Sequence, residues 1–237
     1  MNTILVLNSK GGVGKTTVTT NLASYFAANQ VPTTIMDYDP QGSSLHWLRQ
    51  RSPLAPRIRG ADASPQRGGG LRSLHRYVQS DTQQLIVDAP AGASRLLLQE
   101  MLHNVNYIIV PVAPSAIDIH ATANFIKELL LVGRIRALDI QVAAIANRVR
   151  DLRPVYEPLE RFLKSLGMPF LTRIRDSEVY LDAAESGVGI FEMAEDVSAK
   201  ERQDFAPIVE WVRGSRRART AASAKIVELS GAYAYGR

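Results

Sequence analysis

Residues 9–17 read SKGGVGKTT, and the segments on either side of this stretch predict how it folds. Before it, residues 2–8 read NTILVLN, a short apolar run with β-branched side chains that is typical of a buried strand. After it, Val18, Leu22, Tyr25 and Phe26 recur at the spacing of one helical face. The sequence therefore predicts a strand, a glycine-rich loop and a helix, in that order.

This loop has the composition of a phosphate cradle. Its glycines let backbone N–H groups converge on phosphate oxygens at the start of a helix. The ammonium group of Lys15 can reach the β and γ phosphates of a nucleotide, and the hydroxyl of Thr16 can bind Mg²⁺. The predicted nucleotide-binding residues of the loop are Gly11, Gly12, Val13, Gly14, Lys15, Thr16 and Thr17.

The loop departs at one position from the general G-x-x-x-x-G-K-[ST] pattern, and it carries a second lysine. Ser9 stands where the first glycine would be, and Lys10 follows it. Two ammonium groups side by side repel each other unless phosphate charge separates them. Because Lys10 lies only five residues before Lys15 in a tight loop, we expect Lys10 to point outward.

The rest of the chain alternates short apolar runs with helical patterns, which is typical of βαβ units and a parallel sheet. One helical face is formed by Ile119, Ala123, Ile126 and Leu130. The predicted fold class is α/β, a P-loop NTPase-like, predominantly parallel twisted sheet with helices on both faces. Its predicted strands begin at Thr3, Thr33, Gln84, Tyr107, Ile140 and Phe170.

Length and composition limit the class of protein. The 237 residues suffice for one core, and the absence of cysteine excludes iron–sulfur clusters and cysteine-ligated zinc. No window approaches the roughly 18 apolar residues of a membrane span. We expect one cytoplasmic ATPase-like domain over residues 1–212, with a mobile Pro-, Gly- and Arg-rich loop at about 52–70. Residues 213–237 are expected to form a basic tail that is not an independent domain.

Three carboxylates follow predicted strands, where a parallel sheet binds its ligand. Asp37, Asp39 and Asp88 can hold Mg²⁺, partly through water, and can orient a water molecule that attacks a γ-phosphate. The alternative is that Asp37 and Asp39 only end a strand and cap a turn. The predicted metal site comprises Thr16, Asp37, Asp39 and Asp88.

These motifs resemble those of the ParA/MinD family of deviant Walker ATPases, whose loop is K-G-G-x-x-K-[ST]. The stretches MDYDPQGS from Met36, LIVDAPAG from Leu85 and VPVAPSAID from Val110 occur in the family's order, and DYDPQG is more similar to ParA than to MinD. The resemblance spans about residues 1–195 and implies ATP and Mg²⁺ as ligands. It implies that Asp39 positions the lytic water and that Asp88 supports Mg²⁺.

The resemblance also implies roles for residues outside the phosphate loop. Lys10 would cross a face-to-face homodimer and contact the partner's phosphates, so the catalytic residues would be Lys10, Lys15 and Asp39. The N–H of Gly92 would sense the γ-phosphate. Asn147 would recognise adenine, with Arg148 beside it, although an asparagine that caps a strand end is the alternative. The segment around Ile174 and Arg175 resembles the part of the family that covers the base.

In this family the nucleotide controls binding to a larger surface, which is DNA for ParA-type proteins and membrane for MinD-type proteins. The tail carries Arg213, Arg216, Arg217 and Arg219 but no bulky apolar face, so we expect non-specific, nucleoid-associated double-stranded DNA binding and no membrane contact. The alternative basic residues are Arg148, Arg150, Arg153, Arg173 and Arg175.

The predicted function is ATP-dependent positioning or segregation of a cargo, such as a carboxysome, a plasmid or a protein cluster. A cargo-linked partner protein would stimulate hydrolysis. With the first strand at the start of the sequence, we expect no operator-binding module. A MinD-like ATPase that cycles on membrane is the alternative, whereas a tyrosine kinase is disfavoured because the tail has only Tyr233 and Tyr235.

Overall fold

The computed structural model describes residues 1–65, 78–132, 138–150 and 156–232, with side chains described for 1–65, 78–131, 138–150 and 156–214. Within these ranges, seven parallel strands form one sheet in the order β3-β2-β4-β1-β5-β6-β7. The strands are β1 (Asn2–Val6), β2 (Thr33–Asp37), β3 (Ile58–Asp62), β4 (Gln84–Asp88), β5 (Tyr107–Val112), β6 (Gln141–Val149) and β7 (Phe170–Arg175). The helices are α1 (Lys15–Ala28), α2 (Ser43–Gln50), α3 (Arg95–Met101), α4 (Ala116–Val132), α5 (Glu157–Ser165), α6 (Val179–Glu185) and α7 (Glu195–Ala232).

Two apolar layers cover the sheet, which is why its central strands are buried on both faces. The side chain of Leu5 in β1 packs into the apolar layer that contains α3, α4 and α5. Ile4 and Val6 pack into the opposite layer, which contains α1 and α7. The α/β prediction is therefore confirmed. On the predicted helical faces, the buried positions include Val18, Leu22, Phe26, Ile119 and Ile126.

All six predicted strands are present, but a seventh was missed. The range 52–70 was predicted to be a loop, and β3 (Ile58–Asp62) lies inside it. Among the described strands, β3 pairs with β2 alone, at the edge of the sheet, and Ala61 is the one buried residue of β3. An edge strand with one buried side chain has no hydrophobic alternation, so the pattern could not indicate it. Residues 66–70 of the predicted loop lie outside the described residues.

The C-terminal helix is longer than the sequence pattern indicates. The predicted boundary between residues 212 and 213 falls inside α7, which continues from Glu195 to Ala232. The first half of α7 packs on the sheet through Phe205, Ile208, Val209 and Val212. The basic residues of the tail thus follow directly, in one helix, from residues of the core. No helix in the described ranges is both long enough and apolar enough to cross a membrane.

Candidate nucleotide-binding site

The phosphate loop connects β1, in the middle of the sheet, to α1. Asn8 anchors its start, because its buried Nδ2 donates to the carbonyl of Pro111 at 2.8 Å and its Oδ1 accepts the N–H of Lys10 at 3.2 Å. Gly12 and Gly14 have φ angles of 73° and 86°, which side chains other than glycine rarely adopt. Among the described residues, no protein acceptor binds the backbone N–H groups of residues 11–17. Such a run of free donors at a helix start suits phosphate oxygens.

The side chain of Lys15 lies within the phosphate loop. It is 8% exposed, and its Nζ donates to the carbonyl oxygen of Lys10 at 3.0 Å. Burial lowers the pKa of its ammonium group, and the negative charges of Asp88 and Asp39 oppose that shift. A buried cation held only by a carbonyl and by nearby carboxylates is suited to exchange that carbonyl for phosphate oxygens.

Lys10 has a different environment, although its own carbonyl accepts the bond from Lys15. Its side chain is partly exposed. Within the described ranges, the Lys10 ammonium group makes no hydrogen bond or ion pair. The structure therefore separates the two lysines, with Lys15 inside the loop and Lys10 available to a group from outside.

The acidic residues occupy adjacent strand ends. Asp37 and Asp88 are direct neighbours in the β2–β4 register. The Asp88 Oδ2 accepts a hydrogen bond from the Thr16 hydroxyl at 2.9 Å, whereas its buried Oδ1 has no hydrogen-bond partner in the described part of the chain. Burial, reinforced by the charge of Asp37, raises the pKa of Asp88 to about 7. A buried carboxylate oxygen without a donor, next to a hydroxyl, fits Mg²⁺, which Thr16 and Asp88 would hold together with substrate phosphates.

Asp37 itself is engaged in a turn. Its Oδ1 accepts the N–H of Asp39 at 2.9 Å, and its Oδ2 accepts the hydroxyl and N–H of Ser44 at 2.6 and 3.1 Å. It therefore caps the start of α2, and the geometry favours the turn-capping alternative over the predicted metal contact. In the described part of the chain, no three acidic or histidine side chains come together as a metal cluster. The structure thus brings Thr16 and Asp88 into contact and engages Asp37 in a turn, and the Mg²⁺ contacts of Thr16, Asp37, Asp39 and Asp88 stay a prediction.

Asp39 remains open to the cleft. Its Oδ1 accepts the N–H of Gln41 at 3.0 Å, its side chain is partly exposed, and it lines the cleft next to the phosphate loop. A partly hydrated carboxylate at this position can accept a proton from a water molecule or orient it. The structure thus distinguishes the two acids of the DYD segment: Asp37 holds the turn and Asp39 faces the ligand space.

Gly92 and Asn147 both contact the phosphate loop. The N–H of Gly92 donates to the carbonyl of Ser9 at 3.0 Å, and the Gly92 φ angle is 63°. Nδ2 of Asn147 donates to the carbonyl of Val13 at 2.8 Å. The sequence indicated both positions as ligand contacts, but it gave no sign that each is bonded to the loop.

A cleft of about 780 Å³ extends from the phosphate loop along β6 to α6. Arg148, which has a φ angle of 58°, shares the carboxylate of Asp176 with Arg150, at 3.5 and 2.6 Å. The hydrogen bond from Arg150 is the largest cause that lowers the pKa of Asp176, and the positive charges of Arg150 and Arg148 add to it. Ile174 is in the core and does not line the cleft. The cleft is also lined by residues of the segment after Arg175, which the sequence analysis indicated without naming its individual contacts: Asp176, Ser177, Glu178, Tyr180 and Leu181.

The sequence profile of the CobQ/CobB/MinD/ParA nucleotide binding domain matches residues 4–190. The chain belongs to this family. Among its relatives, the maintenance of carboxysome distribution protein A of Halothiobacillus neapolitanus is 26% identical over 81% of this chain and 87% of the relative. The protein of the same description from Gloeobacter kilaueensis is 26% identical over 87% of this chain and 92% of the relative.

Solved structures of the family have the same fold as this chain. The MinD cell division protein of Aquifex aeolicus superposes with a TM-score of 0.66, covering 90% of this chain and 97% of MinD at 16% identity. The ATP complex of a Cyanothece McdA variant gives a TM-score of 0.64 at 13% identity, covering 88% of this chain and 96% of McdA. At these identities the similarity shows the fold, and it confirms the P-loop NTPase-like prediction.

The arginines proposed as DNA contacts of this ParA/MinD family chain differ in their partners. Two of them pair with acidic side chains: Arg173 with Glu160 at 2.6 Å and Arg175 with Asp204 at 2.6 Å. In the tail, Arg213 is exposed and donates to the phenol oxygen of Tyr25 at 2.8 Å. Four of the arginines proposed for DNA binding have side chains outside the described residues: Arg153, Arg216, Arg217 and Arg219.

Proposed function

We propose that this chain is an ATPase that forms a homodimer around two Mg·ATP molecules. In that state it binds double-stranded DNA without sequence preference, and it positions or segregates an intracellular cargo. A carboxysome is the cargo that the two relatives' description suggests, with a plasmid or a protein cluster as alternatives. We infer a cytoplasmic, nucleoid-associated location and a cargo-linked protein partner that stimulates hydrolysis.

The separation of the two lysines supports this proposal most directly. Lys15 is buried within its own loop, whereas Lys10, five residues away, has a partly exposed ammonium group without a partner in the described residues. One nucleotide needs one such lysine. A second cation that faces outward can stabilise charge that develops on a partner's γ-phosphate, as an arginine finger does in other phosphoryl transfers.

Hydrolysis follows from the remaining groups of the site. Asp39 orients a water molecule, whose oxygen attacks the γ-phosphorus while the bond to the bridging β–γ oxygen breaks. ADP and phosphate are formed, and the proton of the attacking water leaves with the products. Mg²⁺, held beside Thr16 and Asp88, would neutralise phosphate charge. Loss of the γ-phosphate would leave the N–H of Gly92 bonded to Ser9, as in the structure.

The arginine contacts support DNA binding through the tail. Among the alternative arginines whose side chains are described, Arg173 is compensated by Glu160 and Arg175 by Asp204, whereas Arg148 and Arg150 share the single carboxylate of Asp176 and keep one positive charge between them. A neutralised guanidinium group contributes little to phosphate binding. The tail arginines follow directly from the core part of α7, so they lie on an element that packs against β7.

The dimer is tested by sedimentation velocity with Mg²⁺ and a non-hydrolysable ATP analogue. We expect the wild type to sediment as a dimer, and Lys10→Ala to bind the nucleotide but remain a monomer. Lys164→Ala is the matched control, because it removes an exposed lysine of α5 that does not line the cleft. Single particles of wild-type protein at saturating Mg·ATP, together with turnover that Lys10→Ala does not change, would contradict the proposal.

A MinD-like ATPase that cycles on membrane is the alternative that the shared fold leaves open. Co-sedimentation with anionic phospholipid vesicles separates the two functions. The DNA proposal predicts that ATP increases binding to DNA and leaves vesicle binding unchanged. ATP-dependent capture by vesicles without capture by DNA would favour the membrane function.

A further inference from the structure

The side chain of Asn147 is buried against the phosphate loop from a distant part of the chain. It lies near the end of β6 and is 3% exposed. Its Nδ2 donates to the carbonyl oxygen of Val13 at 2.8 Å, across a sequence separation of 134 residues. Because the Val13 carbonyl is shielded from water there, loss of this donor would leave a buried acceptor unsatisfied.

Gly14, the next residue of the loop, is fitted to the same amide. Its φ angle is 86°, and a Cβ atom built on it would overlap Nδ2 of Asn147. In a planar trans peptide the carbonyl of Val13 and the N–H of Gly14 point in opposite directions. The bond from Asn147 therefore fixes the direction of the Gly14 N–H, which is one of the loop donors without a protein acceptor in the described residues.

We infer that Asn147 is a positioning residue of the phosphate loop, beyond the adenine contact proposed for it. The amide holds the Val13–Gly14 peptide with one N–H, and its other N–H and its oxygen remain for a base. One side chain would thereby connect the two ends of the nucleotide site. This inference depends on the proposed role of the cleft in nucleotide binding, and it predicts that Asn147 contributes to the affinity for phosphates even without a base.

Inorganic tripolyphosphate, which has no base, distinguishes positioning from base recognition. Its affinity with Mg²⁺ is measured by isothermal titration calorimetry beside that of ATP. We expect Asn147→Ala to weaken tripolyphosphate about tenfold, because the Gly14 N–H is no longer held toward the phosphates, and to weaken ATP further, because ATP also loses the base contact. Asn124→Ala is the control, since it removes an exposed asparagine amide of α4 that does not line the cleft. It should leave tripolyphosphate binding unchanged.

A second variant keeps the test decisive if Asn147→Ala does not fold. Asn147→Leu keeps the branching and approximate size of the side chain, but it cannot donate to the Val13 carbonyl, and it adds no charge that would itself repel phosphate. We expect its affinity for tripolyphosphate to fall at least as far as that of Asn147→Ala. Lys15→Ala should remove the calorimetric signal of both ligands, which assigns that signal to the loop.

Wild-type tripolyphosphate affinity in both Asn147 variants, with ATP binding lost, would overturn the inference and leave Asn147 as a base contact only. Unchanged binding of both ligands would overturn it as well. None of these measurements uses DNA or depends on Lys10. Failure of the positioning role therefore leaves the dimer and DNA proposals standing, and failure of those proposals leaves this inference unaffected.

Discussion

Arg175 on β7 and Asp204 on α7 form a two-pronged ion pair. The Nε–Oδ2 and Nη2–Oδ1 distances are 2.6 and 2.8 Å, and the backbone N–H of Arg175 also donates to Oδ2 at 3.1 Å. Arg175 lines the nucleotide cleft, whereas Asp204 belongs to the helix that continues into the basic tail. A charged contact thus connects the strand at the cleft with the helix that continues into the basic tail.

Arg175→Ala should destabilise the protein by about 1–2 kcal/mol. The substitution leaves the carboxylate of Asp204, 15% exposed, without its partner and close to the more deeply buried Glu201. Since Arg175 is 39% exposed, water replaces part of the lost interaction, and the effect stays below that of a fully buried pair. Urea unfolding followed by circular dichroism measures the change.

Arg161→Ala is the control for the loss of an arginine. Its pair with Glu157 spans 3.4 Å, and the two side chains are 72% and 56% exposed. We expect a change within about 0.5 kcal/mol. Equal unfolding midpoints for Arg175→Ala and Arg161→Ala would mean that the pair with Asp204 contributes no more than a surface contact.

Asp39→Ala should bind ATP and dimerise, yet release phosphate at least about 100-fold more slowly than the wild type. The carboxylate is the acid of the DYD segment that faces the cleft, whereas Asp37 is used in the turn. The trapped ATP state should accumulate on DNA. Phosphate release is followed at saturating Mg·ATP.

Asp39→Asn separates catalysis from turn geometry, because its amide oxygen can still accept the N–H of Gln41. Slow hydrolysis in both variants would assign the effect to the lost charge. Turnover at the wild-type rate in Asp39→Ala would remove this residue from the mechanism.

How far the sequence predicts this site depends on whether a contact is local. The loop from Gly11 to Thr17 is encoded in consecutive residues, so its strand–loop–helix context followed from periodicity alone. The proximity of Asp88 to Thr16 also followed, because parallel strands end at the same edge. The role of Asp37 was ambiguous, since only the folded turn shows that Ser44 donates to its Oδ2 and the N–H of Asp39 to its Oδ1.

Contacts that depend on packing between distant segments were not predictable. No local pattern indicates that Nδ2 of Asn147 reaches the Val13 carbonyl, since the bond joins positions in different βα units. The same applies to the pairing of Arg175 with Asp204. β3 was missed for another reason: as an edge strand with only Ala61 buried, it needs no apolar alternation.

Asp88 should make the stability of the ligand-free protein depend on pH. Its pKa is about 7 in the folded state, above the ordinary value of roughly 4 that applies to the unfolded chain. The folded state therefore binds the proton more tightly between these values, and stability falls as pH rises from about 4 to 7. Below that window the contribution is fully present, and above it the contribution is lost.

Asp88→Asn isolates this effect, since the asparagine oxygen can still accept the Thr16 hydroxyl and does not ionise. Unfolding free energies are measured from pH 4 to pH 8 in the presence of a chelator. The variant should gain stability relative to the wild type as pH rises through the window, with a constant difference above it. Parallel curves for the two proteins would contradict the raised pKa.

The basic tail should account for most of the DNA affinity in the ATP state. Replacing Arg216, Arg217 and Arg219 with alanine removes three positive charges from α7, while the ion pairs of Arg173 and Arg175 remain. Each phosphate contact contributes roughly 0.9 to the slope of log affinity against log salt concentration. The triple variant should therefore show a slope smaller in magnitude by up to about 3, with weaker DNA binding and basal ATP hydrolysis retained.

Fluorescence anisotropy with a labelled duplex, at several salt concentrations and with a non-hydrolysable analogue, measures the slope. Arg161→Ala serves again as the control, because it removes an exposed arginine from α5. An unchanged slope in the triple variant would place the DNA contact on another face of the molecule.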